Sequence, residues 1–119
     1  MVREGYKAYE MRRTIDVLKK YTGDWKDNYM DGLGELKSDN GIIFKGIFKK
    51  GIPDGLGIIE YDNNDKYEGN MKEGKKEGKG VYYYTSHEKY CRYEGDWKNN
   101  VRHGEGILYY KDGTKEIVE

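Results

Sequence analysis

The sequence predicts an all-β fold: an elongated single-layer antiparallel sheet of tandem β-hairpins, a repeat solenoid, preceded by a short N-terminal helix. Three observations predict it. The stretch Tyr93 to Gly106, reading Tyr-Glu-Gly-Asp-Trp-Lys-Asn-Asn-Val-Arg-His-Gly-Glu-Gly, is one copy of a unit written four times. The copies open at Tyr21, Phe44, Tyr67 and Tyr93, spaced 23, 23 and 26 residues apart, a period that belongs to repeat arrays. Within each copy aromatic or apolar residues alternate with charged ones, the two-residue rhythm of a strand with unlike faces.

Residues 1 to 20 precede the repeats. Ala8, Met11, Ile15 and Leu18 are spaced 3, 4 and 3, one helical stripe, so an amphipathic helix from Tyr6 to Lys20 is expected to cap the first edge of the array. The β-branched run Thr14-Ile15-Asp16-Val17 leaves a strand over 14–18 as the alternative. The repeats occupy 21–43, 44–66, 67–92 and 93–115, and residues 116–119 begin a fifth.

Copy four shows how each unit is built. Tyr93 to Lys98 reads as a strand with Tyr, Gly and Trp on one face, and Asn99 to Arg102 as the turn, where Asn tolerates the left-handed backbone. Glu105 to Tyr110 returns, and Asp112-Gly113 supplies the next reversal, as Asn40-Gly41 does in copy one. The recurring positions are Tyr21, Gly23, Trp25, Gly32 and Gly34; Phe44, Gly46, Phe48, Gly55 and Gly57; Tyr67, Gly69, Met71, Gly78 and Gly80; and Tyr93, Gly95, Trp97, Gly104 and Gly106. A glycine set opposite the Tyr and Trp of a neighbouring strand lets a large ring lie over the backbone. Eight strands spaced about 4.8 Å apart make a rod roughly 40 Å long. The edge at residues 116–119 invites pairing with a second chain, hence a homodimer.

An aromatic-x-Gly-x-Trp opening, a turn, Gly-x-Gly and alternating apolar residues at a period of 23 resemble the MORN (membrane occupation and recognition nexus) repeat over residues 21 to 115. The resemblance implies a non-catalytic scaffold that organises membrane and cytoskeleton junctions, with a cytoskeletal or membrane-associated protein partner. It also implies two alternatives, an anionic phospholipid-binding module and a regulatory appendage of a larger enzyme, since such arrays occur on lipid kinases and on a lysine methyltransferase.

Composition narrows the function classes. Of 119 residues 35% are hydrophobic, 37% charged and 14% aromatic, with thirteen Tyr and two Trp, so the interior must be built from rings. With 22 basic and 22 acidic residues, no net field draws nucleic acid. One cysteine, no signal peptide and no apolar run near 18 residues predict a soluble protein of a reducing compartment, hence cytoplasmic, and the resemblance implies that it is peripheral at membrane or cytoskeleton.

No enzymatic site is expected. The third glycine of a phosphate loop is replaced by Lys37, Glu60, Tyr83 and Tyr109 in the four copies, and one Cys with two His offers no nucleophile and base pair. No cofactor is implied. Asp62-Asn63-Asn64-Asp65 starts like a calcium loop, but Lys66 and Tyr67 fall at the following ligand and glycine places, so it reads as a polar turn. His87, Cys91 and His103 are the soft metal ligands. Three cannot complete a structural zinc site, which takes four, unless a second chain contributes.

Two surfaces remain as candidates. The rings Tyr21/Trp25, Phe44/Phe48, Tyr67/Met71 and Tyr93/Trp97 are expected to be spent largely on packing, which leaves Tyr82, Tyr83, Tyr84, Tyr109 and Tyr110 as contact area for a protein. Lys72, Lys75, Lys76, Lys79, Lys89 and Arg92 form the candidate lipid patch, interrupted by Glu68, Glu73, Glu77 and Glu88. The three extra residues of copy three fall in Thr85 to Arg92, a loop of the kind that carries contacts in repeat proteins.

Overall fold

The computed structural model describes residues 2–5 and 19–119. They form one antiparallel sheet in strict sequence order. Its strands are β1 (Val2–Gly5), β2 (Lys19–Lys26), β3 (Tyr29–Ser38), β4 (Ile43–Lys49), β5 (Ile52–Glu60), β6 (Lys66–Lys72), β7 (Lys75–Tyr83), β8 (Tyr90–Lys98), β9 (Val101–Tyr110) and β10 (Lys115–Val118). Each repeat is a hairpin, β2–β3, β4–β5, β6–β7 or β8–β9, and β1 and β10 add a strand at either end. The molecule extends 47 × 26 × 23 Å.

The expected N-terminal helix is not supported. Residues 6–18, including the alternative strand at 14–18, lie outside the described residues, and Lys19 and Lys20 belong to β2, where they pair with Ser38 and Lys37. The strands also run further than the sequence pattern marks. In copy four the return strand starts at Val101 rather than Glu105, because the turn needs only Asn99 and Asn100, both with positive φ.

The glycines form a ladder. Gly23, Gly34, Gly46, Gly57, Gly69, Gly80, Gly95 and Gly106 are successive cross-strand partners from β2 to β9. A row of positions without side chains therefore crosses eight strands. On it lie the first rings of the four copies: a Cβ at Gly34, Gly57, Gly80 or Gly106 would fall within the ring of Tyr21, Phe44, Tyr67 or Tyr93 respectively. The expected arrangement changes in one respect. Each ring covers the glycine two residues on in its own strand and the glycine opposite it in its own hairpin, while the Trp, Phe or Met four residues further on lies off the ladder.

Those second rings brace the first ones edge-on. Trp25 meets Tyr21 at 5.3 Å, Tyr21 meets Phe48 at 5.1 Å, and Phe48 meets Phe44 at 5.1 Å. Tyr67 meets Trp97 at 5.4 Å and Trp97 meets Tyr93 at 5.6 Å, all near perpendicular. Each such pair contributes about 0.5–1.5 kcal/mol beyond burial. Met71 takes the place of a ring between the two runs and is buried with them. Tyr21 and Tyr67 are fully buried in a sheet one layer thick, because rings lying flat on glycine are covered by their neighbours' edges.

Ring and backbone are tied at a bulge. The register slips after Gly23, Gly46, Gly69 and Gly95, one slip per hairpin, with a second in β8–β9 between Tyr90 and Arg92; each slip interrupts the ladder. The Tyr21 and Tyr67 hydroxyls donate to the carbonyls of Asp24 and Asn70, both at 2.7 Å, and Tyr93 donates to that of Asp96 at 3.4 Å. Copy two has Phe44 and lacks this bond. On the partner strand the first glycine of Gly-x-Gly takes positive φ, +86° at Gly32 and +82° at Gly78. The two glycines of the motif therefore differ in role: the first supplies a backbone angle, the second a bare surface.

Alanine at Gly80 should therefore cost more than about 3 kcal/mol, since it expels a ring that buries roughly 150–250 Å² at about 25 cal/mol per Å². Alanine at Gly104, with φ +67° and nothing near its Cβ position, should cost only about 1 kcal/mol. Phe44→Tyr should stabilise by about 1 kcal/mol by restoring the bulge hydrogen bond. Urea midpoints of the three variants check the order.

Candidate interaction surfaces

The strands present two faces. Beside the buried rings, the ring face carries a second row of tyrosines that are only partly covered: Tyr61 at the end of β5, Tyr82 and Tyr84 in and after β7, Tyr90 in β8 and Tyr110 in β9. They touch in sequence. Tyr61 lies 5.8 Å from Tyr82, Tyr82 lies 4.7 Å from Tyr84, Tyr84 lies 5.9 Å from Tyr90, and Tyr90 lies 5.5 Å from Tyr110.

Two cations share this face. Lys76 and Arg102 occupy the same repeat position, opposite Met71 and Trp97. The Lys76 ammonium sits 5.3 Å from the centre of Trp97 and donates to the Tyr61 hydroxyl at 3.1 Å. The Arg102 guanidinium lies 4.9 Å over Tyr93. In copies one and two the position holds Met30 and Pro53, so the cationic stretch is confined to copies three and four.

Asp65 anchors the row. It is 8% exposed and accepts hydrogen bonds from the Tyr82 hydroxyl at 2.9 Å, the Thr85 amide at 2.9 Å and the Thr85 hydroxyl at 3.0 Å. Burial alone would raise its pKa, but those donors to the carboxylate outweigh it and hold the group below the ordinary aspartate value. Burial, then the Asp65 charge, push the Tyr82 phenol well up, so it stays a donor. The polar turn read from Asp62 to Asp65 is thus a fastening point for the copy-three loop.

The five candidate contact tyrosines do not form one surface. Tyr82, Tyr84 and Tyr110 are on the ring face, whereas Tyr83 and Tyr109 point to the other side, as alternation along a strand requires. There each is held in a matching group. Tyr83 donates to Glu68 at 3.2 Å with Lys66 5.0 Å from its ring. Tyr109 donates to Glu94 at 3.2 Å with the Arg92 guanidinium 3.8 Å from its ring.

The six candidate lipid residues are dispersed as well. Lys72 and Lys75 flank a turn, Lys76 is on the ring face among tyrosines, and Lys89 is in the copy-three loop. Lys79 pairs with Asp96 at 2.8 Å, and Arg92 with Glu94 at 2.9 Å. No patch brings them together. The soft metal ligands are separated too. His87 lies in the loop, its Nδ1 accepting backbone hydrogen bonds, Cys91 Sγ faces the Tyr110 carbonyl at 3.8 Å, and His103 lies at the turn end of β9, opposite Asp96. Among the described residues no three His, Cys, Asp or Glu side chains are grouped to hold a metal ion.

One set of residues escaped the sequence reading. The acidic residue just before Gly-x-Gly accepts from the backbone of the next copy's turn: Asp31 from the Lys50 amide at 3.3 Å, Asp54 from Glu73 at 3.2 Å, and Glu77 from Asn99 at 3.2 Å. Main-chain bonds run beside them, from Gly51 to Met30, Gly74 to Pro53 and Asn100 to Lys76. The signal was an acid at one repeat position in three copies, visible only once the turns are known to stack. Asp65 had no signal of its own, because it belongs to a single copy, whereas Tyr61 shares its repeat position with Tyr84 and Tyr110, and Arg102 shares its position with Lys76.

These features define a solenoid of stacked hairpins whose chemistry lies on its faces. The MORN repeat family profile matches residues 21–43, 44–66, 67–89 and 93–115, and the chain belongs to that family. The stretch left between the third and fourth matches, 90–92, lies where the copy-three insertion ends. No curated protein matches the chain. Among the described residues no helix is long and apolar enough to cross a membrane.

Asp65→Asn should lower stability by about 2 kcal/mol at pH 7, the scale of hydrogen bonds to a charged group. A depressed folded-state pKa contributes stability above the unfolded value, about 3.9, and loses it as pH falls through the folded value. The gap in urea midpoint between wild type and Asp65→Asn should hold from pH 7 to about pH 4 and close below it.

Proposed function

We propose that this chain is a non-catalytic interaction scaffold that binds a protein segment on the ring face of copies three and four. The observation that carries this reading is the row of half-covered tyrosines beside Lys76 and Arg102. Rings held by their neighbours lose little conformational freedom on binding, and Tyr, Trp and Arg are the residues that dominate binding energy at interfaces. Family membership supports a membrane-associated or cytoskeletal protein as the partner class, at a peripheral, cytoplasmic location. Self-association belongs to the same reading, since β1 and β10 carry the outward edges of an open sheet and strand edges pair readily.

The test compares Tyr84→Ser/Tyr110→Ser on the ring face with Tyr83→Ser/Tyr109→Ser on the outer face in pull-downs from the native cell. Ring-face substitution should remove the captured protein and outer-face substitution should retain it. Equal capture by both would overturn the assignment. Flotation of the isolated protein with anionic liposomes at low salt would instead favour a lipid surface, and a mass that stays monomeric across concentrations in light scattering would remove self-association.

A further inference from the structure

We propose that His87 makes the copy-three loop a proton-operated latch, closed while the imidazole is neutral and released when it takes up a proton. The loop runs from Thr85 to Lys89 between β7 and β8. His87 Nδ1 accepts two backbone hydrogen bonds, from the Lys89 amide at 3.1 Å and the Tyr90 amide at 3.2 Å. A ring nitrogen that accepts carries no proton. Both nitrogens of an imidazolium are donors, so neither ring orientation can accept these bonds after protonation. Histidine is the side chain whose charge ordinarily changes between about pH 5 and pH 8.

The surroundings leave that nitrogen in control. The imidazole stacks on Tyr90, with ring centres 3.9 Å apart and planes 17° apart, and lies 5.9 Å from Tyr84. A phenol face attracts imidazolium as well as imidazole, so the stack does not hold the loop in one state; the two amides do. The charged neighbours in the loop are Glu88 and Lys89. From β9, Tyr110 packs on Tyr90 and the Lys111 amide donates to the Lys89 carbonyl at 2.8 Å. From the β5–β6 turn, Asp65 holds Thr85. Among the described residues no carboxylate forms an ion pair with His87.

The two ends of the loop therefore respond to different conditions. Thr85 is fastened to a carboxylate held below the ordinary aspartate value, while the Lys89 and Tyr90 amides are fastened to an imidazole. In mild acid only the second fastening goes, while the Lys111 amide still holds the Lys89 carbonyl and Tyr90 stays paired with Tyr110, so the part released is the His87 end of the loop. The imidazole stacks on Tyr90 in the tyrosine row, so release alters the cover over the middle of the proposed contact surface. That consequence rests on the function proposed above; the latch itself does not.

Two variants separate acceptor from ring. Asn at position 87 places an oxygen, Oδ1, where Nδ1 sits and does not titrate, whereas Phe keeps the stack and has no acceptor. Hydrogen exchange protection of the Lys89 and Tyr90 amides, corrected for intrinsic rates, should fall about tenfold in wild type between pH 8 and pH 5, the scale of one or two lost hydrogen bonds. It should stay high at both values in His87→Asn and low at both in His87→Phe. Wild-type protection that does not change with pH, or an equal fall in His87→Asn, would overturn the latch. If the latch holds but partner capture by wild type is the same at both pH values, the contact surface is misplaced and the switch stands.

Discussion

A tyrosine or phenylalanine ring lying on a pair of glycines is the contact on which the rest of this structure depends. A single-layer sheet has no second layer to bury its apolar face. Here the face is buried within the layer, because the glycine ladder lowers the surface by one side chain across eight strands and the rings fill the space. Glycine weakens a strand by its conformational freedom, and the burial of a ring offsets that loss. The bulge follows from the same geometry: the hydroxyl at the tip of the ring reaches the carbonyl that the register slip sets free, so ring, glycine and bulge form one unit in three of the four copies.

The array is uneven along its length. Copies one and two have Met30 and Pro53 where copies three and four place Lys76 and Arg102, and Leu33 and Leu56 are 68% and 66% exposed on the outer face. In copies three and four the outer face is occupied instead by the groups around Tyr83 and Tyr109. The same hairpin therefore carries exposed leucines among ion pairs on the outer face in one half of the rod and a cationic, tyrosine-lined ring surface in the other. In repeat proteins, where each unit contacts only its neighbours, such local differences can accumulate without disturbing the fold.

Periodicity made the architecture legible. Four openings, four Gly-x-Gly pairs and alternation between them gave the hairpins, their order and the elongated shape, because each of those signals repeats and none depends on a distant partner. Whatever occurs once was harder to read. Asp65 looked like part of a polar turn because its donors, Tyr82 and Thr85, lie 17 and 20 residues away. Tyr82, Tyr83 and Tyr84 looked like one patch because adjacency in sequence hides alternation in space. The basic cluster of copy three dissolved for the same reason, its members going to a turn, a loop and both faces. At the N-terminus a spacing of 3, 4 and 3 suggested a helix through Lys20, yet Lys19 and Lys20 pair into the sheet, where backbone hydrogen bonds to β3 outweigh a stripe that ends there.

The acids before Gly-x-Gly give the rod a direction. Asp31, Asp54 and Glu77 each reach forward to the following turn, and the main-chain bonds beside them also run from the later copy to the earlier one. At the junction of copies three and four the pattern also runs back, since the Lys76 amide donates to Asn100 Oδ1 at 2.9 Å. The polarity belongs to the donors and acceptors, while each bond steadies both of the turns it joins.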